Sequence, residues 1–219
     1  MTTLQIVAIL ATVLCASIFA FYFIKIVKLG APKDLSVKSG SVRKGVIYSN
    51  TIAMLPQHKE SAYLHLPTYS MGIIFHIGTF IALLLYILSF FTHLSAWLHQ
   101  FLWTHLWLQA ILLIGFSIST LCGIALFLKR IVKKNLRQLS HIDDFISNGL
   151  VTLFQCMTLL FLFFLDHTVV VTCYYISAIL LFLYMPVGKL RHALYFFAAR
   201  YHLGFFYGWR NVWPTQKKD

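Results

Sequence analysis

Acidic side chains are nearly missing from this 219-residue chain. Six Asp and Glu stand against 18 Lys and Arg, and charged residues of both signs make up only 11% of it. With 59% hydrophobic and 16% aromatic residues and a mean hydropathy of +0.78, there is more apolar surface than a soluble core of this size hides, so the solvent around most of the chain is lipid. Cysteine is sparse too. Cys15, Cys122, Cys156 and Cys173 fall singly within apolar runs, with no CxxC pair and no CxxCH. That excludes an iron–sulfur cluster of the chain's own and covalently attached heme, and leaves the cysteines as small buried hydrophobes. The apolar runs contain no Asp, Glu, Lys or Arg in their interiors and show no inverted repeat, which argues against an ion or proton transporter. The net charge of +12 sits in short segments beside apolar runs, where it sets topology and attracts anionic lipid; no nucleic-acid partner is expected.

What is present is a succession of five apolar stretches, at about 4–27, 69–91, 106–128, 145–165 and 168–199, the last reaching only about Tyr184 unless it continues past Pro186. Each is near the roughly 20 residues that cross a hydrocarbon layer. The fold expected is an all-α integral membrane bundle of five transmembrane helices forming one domain over 1–219. The basic residues fall in alternate connections: Lys25, Lys28, Lys33, Lys38, Arg43, Lys44 and Lys59 after the first stretch, Lys129, Arg130, Lys133, Lys134 and Arg137 after the third, and Lys189, Arg191, Arg200, Arg210, Lys217 and Lys218 after the fifth. By the positive-inside rule these are cytoplasmic, so the N-terminus is outside and the C-terminus inside. The connection 92–105 carries no Lys, Arg, Asp or Glu, and Trp97, Trp103 and Trp107 mark it as an interfacial aromatic belt. A cleaved signal peptide is not expected, since the first stretch is long and no basic residue precedes it. The polar stretch 30–68, with Pro32, Gly40, Gly45, Pro56 and Pro67, reads as a structured loop with at most short helices.

Ten histidines are present, and eight of them, His58, His65, His93, His99, His105, His141, His167 and His202, fall in loops, at interfaces or in the tail. His76 differs because it lies inside the second apolar helix, where polar groups are costly and usually functional. His192 lies on the cytoplasmic extension of the fifth. Each follows a glycine by four residues, Gly72-x-x-x-His76 and Gly188-x-x-x-His192, and one helical turn back is nearly the same face. Each glycine then clears room beside its imidazole, and antiparallel helices bring the two rings to similar depth. Two neutral imidazoles so placed suit the axial positions of a b-type heme; helix packing through small residues is the competing use of the same pattern. Lys189, Arg191 and Arg200 could meet heme propionates. His141-x-Asp143-Asp144 reads as a solvated turn or helix start rather than a metal site.

Phe75-His76-Ile77-Gly78, Pro186 six residues before His192, and Arg200-Tyr201 beyond it resemble the membrane cytochrome b (gamma) subunit of respiratory nitrate reductase. They are also similar to the related cytochrome b subunits of heterodisulfide-reductase-type and sulfite-reduction-associated membrane complexes. The resemblance implies a heme b protein of the cell inner (plasma) membrane that exchanges electrons with quinone and anchors a cytoplasmic iron–sulfur oxidoreductase subunit. Two hemes are usual in that family, each held by one histidine from the second helix and one from the fifth. His76 and His192 match the ligands of the inner heme, with Gly72, Gly188, Arg191 and Arg200 around it. The outer pair falls on Tyr86 and Tyr174, so one heme is expected; His93 with His167, or His65 with His202, are the alternatives for a second.

The reading reached is therefore a membrane b-type cytochrome subunit with His76 and His192 as iron ligands. The basic segments 33–59 and 129–137 would dock the partner, and a quinone headgroup would lie near His65, Tyr69 or His202. A heme-free membrane anchor or assembly subunit is the alternative.

Overall fold

The computed structural model describes residues 2–30, 33–55, 58, 62, 64–91, 100, 104–164 and 167–214, and among them every regular element is helical. Lys59, His93, His99, Trp97, Trp103, Asp166, Lys217 and Lys218 lie outside the described residues. The longer helices are α1 (Thr3–Lys28), α2 (Val42–Asn50), α3 (Leu66–Leu88), α4 (Leu106–Val132), α5 (Lys134–Gln138), α6 (Ile142–Phe163), α7 (Thr168–Tyr184) and α8 (His192–Trp209). Four of them, α1, α3, α4 and α6, are long and apolar enough to cross a membrane; the number is five if α7 and the helical segment after it are one broken span.

The spans differ from the expected ones at their polar ends. α3 begins at Leu66 because Pro67 occupies its first turn, where a missing N–H costs nothing. α4 runs on to Val132 through Lys129 and Arg130, whose long stems can lie along apolar surface while the charges reach water. α6 begins after His141, whose backbone N–H donates to the Asp144 carboxylate at 3.0 Å in a capping box. His141-x-Asp143-Asp144 is thus a helix start.

The fifth stretch is not one helix over 168–199. α7 ends at Tyr184, a turn over 185–188 and a single 3-10 turn at Lys189–Arg191 follow, and α8 starts at His192. Pro186 explains the break, since it cannot donate to the helical ladder and its ring clashes with the preceding turn. Val187 and Gly188 N–H groups fold back onto the Tyr184 carbonyl at 3.0 and 2.9 Å.

The chain forms two compact units. The first comprises Met1–Cys15 and Pro67–Lys189. Its buried face on α3 is Phe75, Gly78, Ala82 and Tyr86, spaced by three or four residues as one helical stripe. Gly78 permits the closest approach, because a Cβ there would collide with the Ser119 side chain on α4. Lys129 near the end of α4 donates to Thr68 near the start of α3, as antiparallel neighbours allow.

The second unit comprises Ala16–Leu66 and Leu190–Asp219. Here α2 and α8 pack backbone to backbone through glycines: a Cβ on Gly45 would fall 2.5 Å from Gly208 Cα, and one on Gly204 would fall 2.5 Å from Val46 Cα. Ser49 Oγ donates to the Arg200 carbonyl at 2.7 Å. The loop before α2 is tied to the end of α8 as well. Trp209 Nε1 donates to the Ser36 carbonyl at 2.9 Å, and the N–H groups of Ser39 and Gly40 both donate to the Trp209 carbonyl at 3.0 Å. Arg210 closes the unit with a two-pronged contact to the Asp34 carboxylate.

Candidate functional site

His76 lies on α3, one residue past the buried Phe75, and its imidazole is exposed on the outer side of the helix. Nδ1 is 2.7 Å from the Gly72 carbonyl oxygen. A carbonyl only accepts, so Nδ1 carries a proton, and in the neutral ring Nε2 then presents its lone pair. Among the described residues Nε2 has no hydrogen-bond partner. A backbone carbonyl holding one ring nitrogen is the usual second-shell arrangement of a metal-ligating histidine. The Gly72 half of the expected pattern is open: no atom outside its own helix lies within 4 Å of where its Cβ would stand.

The Gly188 half is filled. A Cβ there would collide with the Tyr184 ring and fall 2.9 Å from Asp143 Oδ1, so Gly188 makes room for a tyrosine and a carboxylate, not for a macrocycle. The expectation of matching glycine clearings is corrected to one clearing, at Gly72. His192 is the first residue of α8, and both it and Arg191 are exposed. His76 belongs to the first unit and His192 to the second. Arg200 is engaged inside the second unit, where its guanidinium donates to the Ser49 carbonyl and lies 5.9 Å from the Trp213 ring centre. Its Nε is buried with no partner among the described residues.

Tyr86 and Tyr174, which stand where the resemblance would put outer heme ligands, are both fully buried and pack against each other with ring centres 6.2 Å apart. Phe154 and Phe161 stack on Tyr174 at 5.9 and 4.4 Å, and Phe182 stacks on Tyr86 at 5.1 Å. The Tyr86 hydroxyl reaches the Ala8 carbonyl at 3.1 Å and Thr12 Oγ1 at 2.9 Å on α1. These rings fill the space themselves. His65, Tyr69 and His202 are described; His65 and His202 are exposed and Tyr69 half-buried. Among the described residues no three His, Cys, Asp or Glu side chains gather as a site for a metal ion; an iron held by two imidazoles needs no such trio.

Two polar clusters went unread in the sequence. At the start of α6, Asp143 accepts from the Tyr184 hydroxyl and from the Lys189 backbone N–H at 3.2 Å, while Asp144 pairs with Lys189 Nζ at 2.7 Å and Arg130 at 2.8 Å. Five residues from α4, α6, the end of α7 and the 3-10 turn that follows it thereby meet at one corner. Deeper in the first unit, Gln155 on α6 is completely buried. Its Nε2 donates to the Phe75 carbonyl at 2.8 Å and to Thr79 Oγ1 at 2.6 Å, and Ser119 Oγ stands 2.9 Å from its Oε1 and 3.1 Å from the Ile74 carbonyl. A lone Gln in the middle of an apolar run was the signal available, since amides in such places seek partners on neighbouring helices. A scan against family models finds none that matches this chain, and searches of curated proteins and of solved structures find no match either.

Proposed function

We propose that the chain is a membrane b-type cytochrome subunit, with His76 an axial ligand of one heme b and His192 the second. It would pass electrons between quinone and a cytoplasmic iron–sulfur subunit, with the N-terminus outside the plasma membrane and the basic segments inside. The observation that carries this reading is the His76 imidazole: Nδ1 is fixed by the Gly72 carbonyl, Nε2 is presented outward, and the helix face beside Gly72 is open. In a hydrocarbon layer an imidazole lone pair without a partner is costly, and coordination to iron removes that cost. Heme bound there would supply one-electron transfer. The chain's own contribution is to hold the neutral tautomer and aim it.

The competing reading is a heme-free anchor or assembly subunit. It is favoured by the filled Gly188 face, which leaves no clearing one turn before His192. Reduced-minus-oxidised spectra of the detergent-purified chain separate the two. The cytochrome reading expects a reducible Soret and alpha band of low-spin bis-histidine type that disappears in His76→Ala and in His192→Ala. A colourless wild-type protein expressed with ample heme, or an unchanged spectrum in both variants, overturns it.

A further inference from the structure

We infer that Gln155 is a positioning residue for His76, holding the helix that carries it at one rotation so that the imidazole faces outward. This rests on the reading of His76 as a heme ligand. The acceptor of the Gln155 amide is the Phe75 carbonyl, which belongs to the same peptide group as the His76 nitrogen. Thr79 Oγ1, the second acceptor, itself donates to that carbonyl at 2.8 Å. The Ile74 carbonyl, one peptide earlier, is approached by Ser119, whose single proton is shared with Gln155 Oε1. Two successive peptide groups of α3 are therefore gripped from α4 and α6, while the ring is held from the other side by the Gly72 carbonyl.

The grip is directional where the surrounding packing is not. In lipid, apolar contact between helices has little orientational preference, and close approach of small residues together with interhelical hydrogen bonds decides rotation. Gly78 and Gly123 allow that approach, the first against Ser119 and the second against the Phe75 ring. Every polar atom of the Gln155 side chain is used. Rotating α3 by one residue would carry the Phe75 carbonyl away from the Gln155 amide, put Gly78 or Phe80 where Thr79 stands, and turn the helix face that bears His76 by about 100°, so that change of direction strands a buried amide.

The test compares Gln155→Leu and Gln155→Asn with Thr158→Val in the full chain loaded with heme. Thr158 is a control on the same helix, fully buried and bonded to the Phe154 carbonyl of its own helix. Gln155→Leu is expected to remain helical yet retain heme about tenfold less firmly, the low end for outer-shell partners of a metal ligand, with a shifted low-spin g-value and midpoint potential. Gln155→Asn, shorter by one methylene, should lie between, and Thr158→Val should keep the wild-type signature. Wild-type retention, g-value and potential in a folded Gln155→Leu overturn the positioning role alone. If Gln155→Leu does not fold, an Asn variant with the wild-type signature does the same. A heme-free wild type overturns both this role and the function it rests on.

Discussion

Gly72 and Gly78 stand six residues apart on α3 and answer differently to the same change. Gly72→Ala adds a methyl to open space and removes the entropic cost of a helical glycine, so it should stabilise by about 0.5–1 kcal/mol. Gly78→Ala puts a methyl into the Ser119 side chain and should destabilise by about 1–3 kcal/mol, as overpacking does. Thermal unfolding in detergent followed by helical ellipticity ranks the two; equal effects would contradict the difference in packing. The two buried tyrosines offer a second contrast. Among the described residues the Tyr174 hydroxyl makes no well-aligned hydrogen bond; the Thr158 side chain lies beside it, but the Thr158 proton is committed to the Phe154 carbonyl. Tyr174→Phe therefore gives up at most one weak contact and should leave stability equal or higher by about 1 kcal/mol. Tyr86→Phe loses the bonds to Ala8 and Thr12 and should cost about 0.6–2 kcal/mol, the range of hydrogen bonds between membrane helices. The same unfolding assay decides, and a destabilised Tyr174→Phe would refute the first half.

Among the elements, the loop and tail of the second unit carry a charge that responds to pH. The Ser36 backbone N–H, at 3.0 Å, and then the Ser36 hydroxyl hold the Asp34 carboxyl below its ordinary range, with Arg210 adding to the effect. A carboxyl whose folded value is depressed contributes stability above its ordinary value of about 3.9, and that contribution is lost as pH falls through the lower folded value. The clasp between the loop and Arg210 should therefore persist at neutral pH and loosen only below about pH 4. Emission of Trp209, whose indole bonds the adjacent Ser36 carbonyl, would follow it; Asp34→Asn should show the loosened emission already at pH 7 and no acid transition. An acid transition that survives in Asp34→Asn would assign the change to another group.

At this same scale the sequence was legible where a local rule operates. Hydropathy located the long apolar helices, and the His141–Asp144 spacing allowed a helix start; Pro186 was the available sign of a break, although the fifth stretch was expected to run on to 199. It was not legible where the answer depends on which helices become neighbours. Nothing near Gly188 in the chain says that Tyr184 and Asp143 fill the space beside it, because Asp143 arrives from a different helix. The Gln155 grip on α3 is equally invisible, for one acceptor is the Phe75 backbone carbonyl, a group every sequence possesses, and the other, Thr79 Oγ1, lies on a different helix. The His76 tautomer was half legible: Gly72 was identified by spacing, but as a clearing rather than as the source of the carbonyl that holds Nδ1.

For the whole molecule the governing feature is the imbalance of 18 Lys and Arg against six acids. The first unit keeps its two described acids, Asp143 and Asp144, bound to Arg130, Lys189 and Tyr184, and the second ties Asp34 to Arg210. These pairings remove acid from the exposed surface and leave the remaining bases to act on the membrane potential and anionic headgroups. If those bases set topology, single cysteines at opposite ends should report opposite sides. Val37 and Leu139 are 92% and 80% exposed, each within a basic connection, and Thr2 precedes α1. Val37→Cys and Leu139→Cys should react with a membrane-impermeant maleimide only after cells are opened, and Thr2→Cys should react in intact cells, with the native chain as the blank for its four cysteines. Labelling of Val37→Cys or Leu139→Cys in intact cells would reverse the orientation. It would also move the basic segments to the side opposite the proposed iron–sulfur partner, removing the electrostatic reason for the proposed docking there.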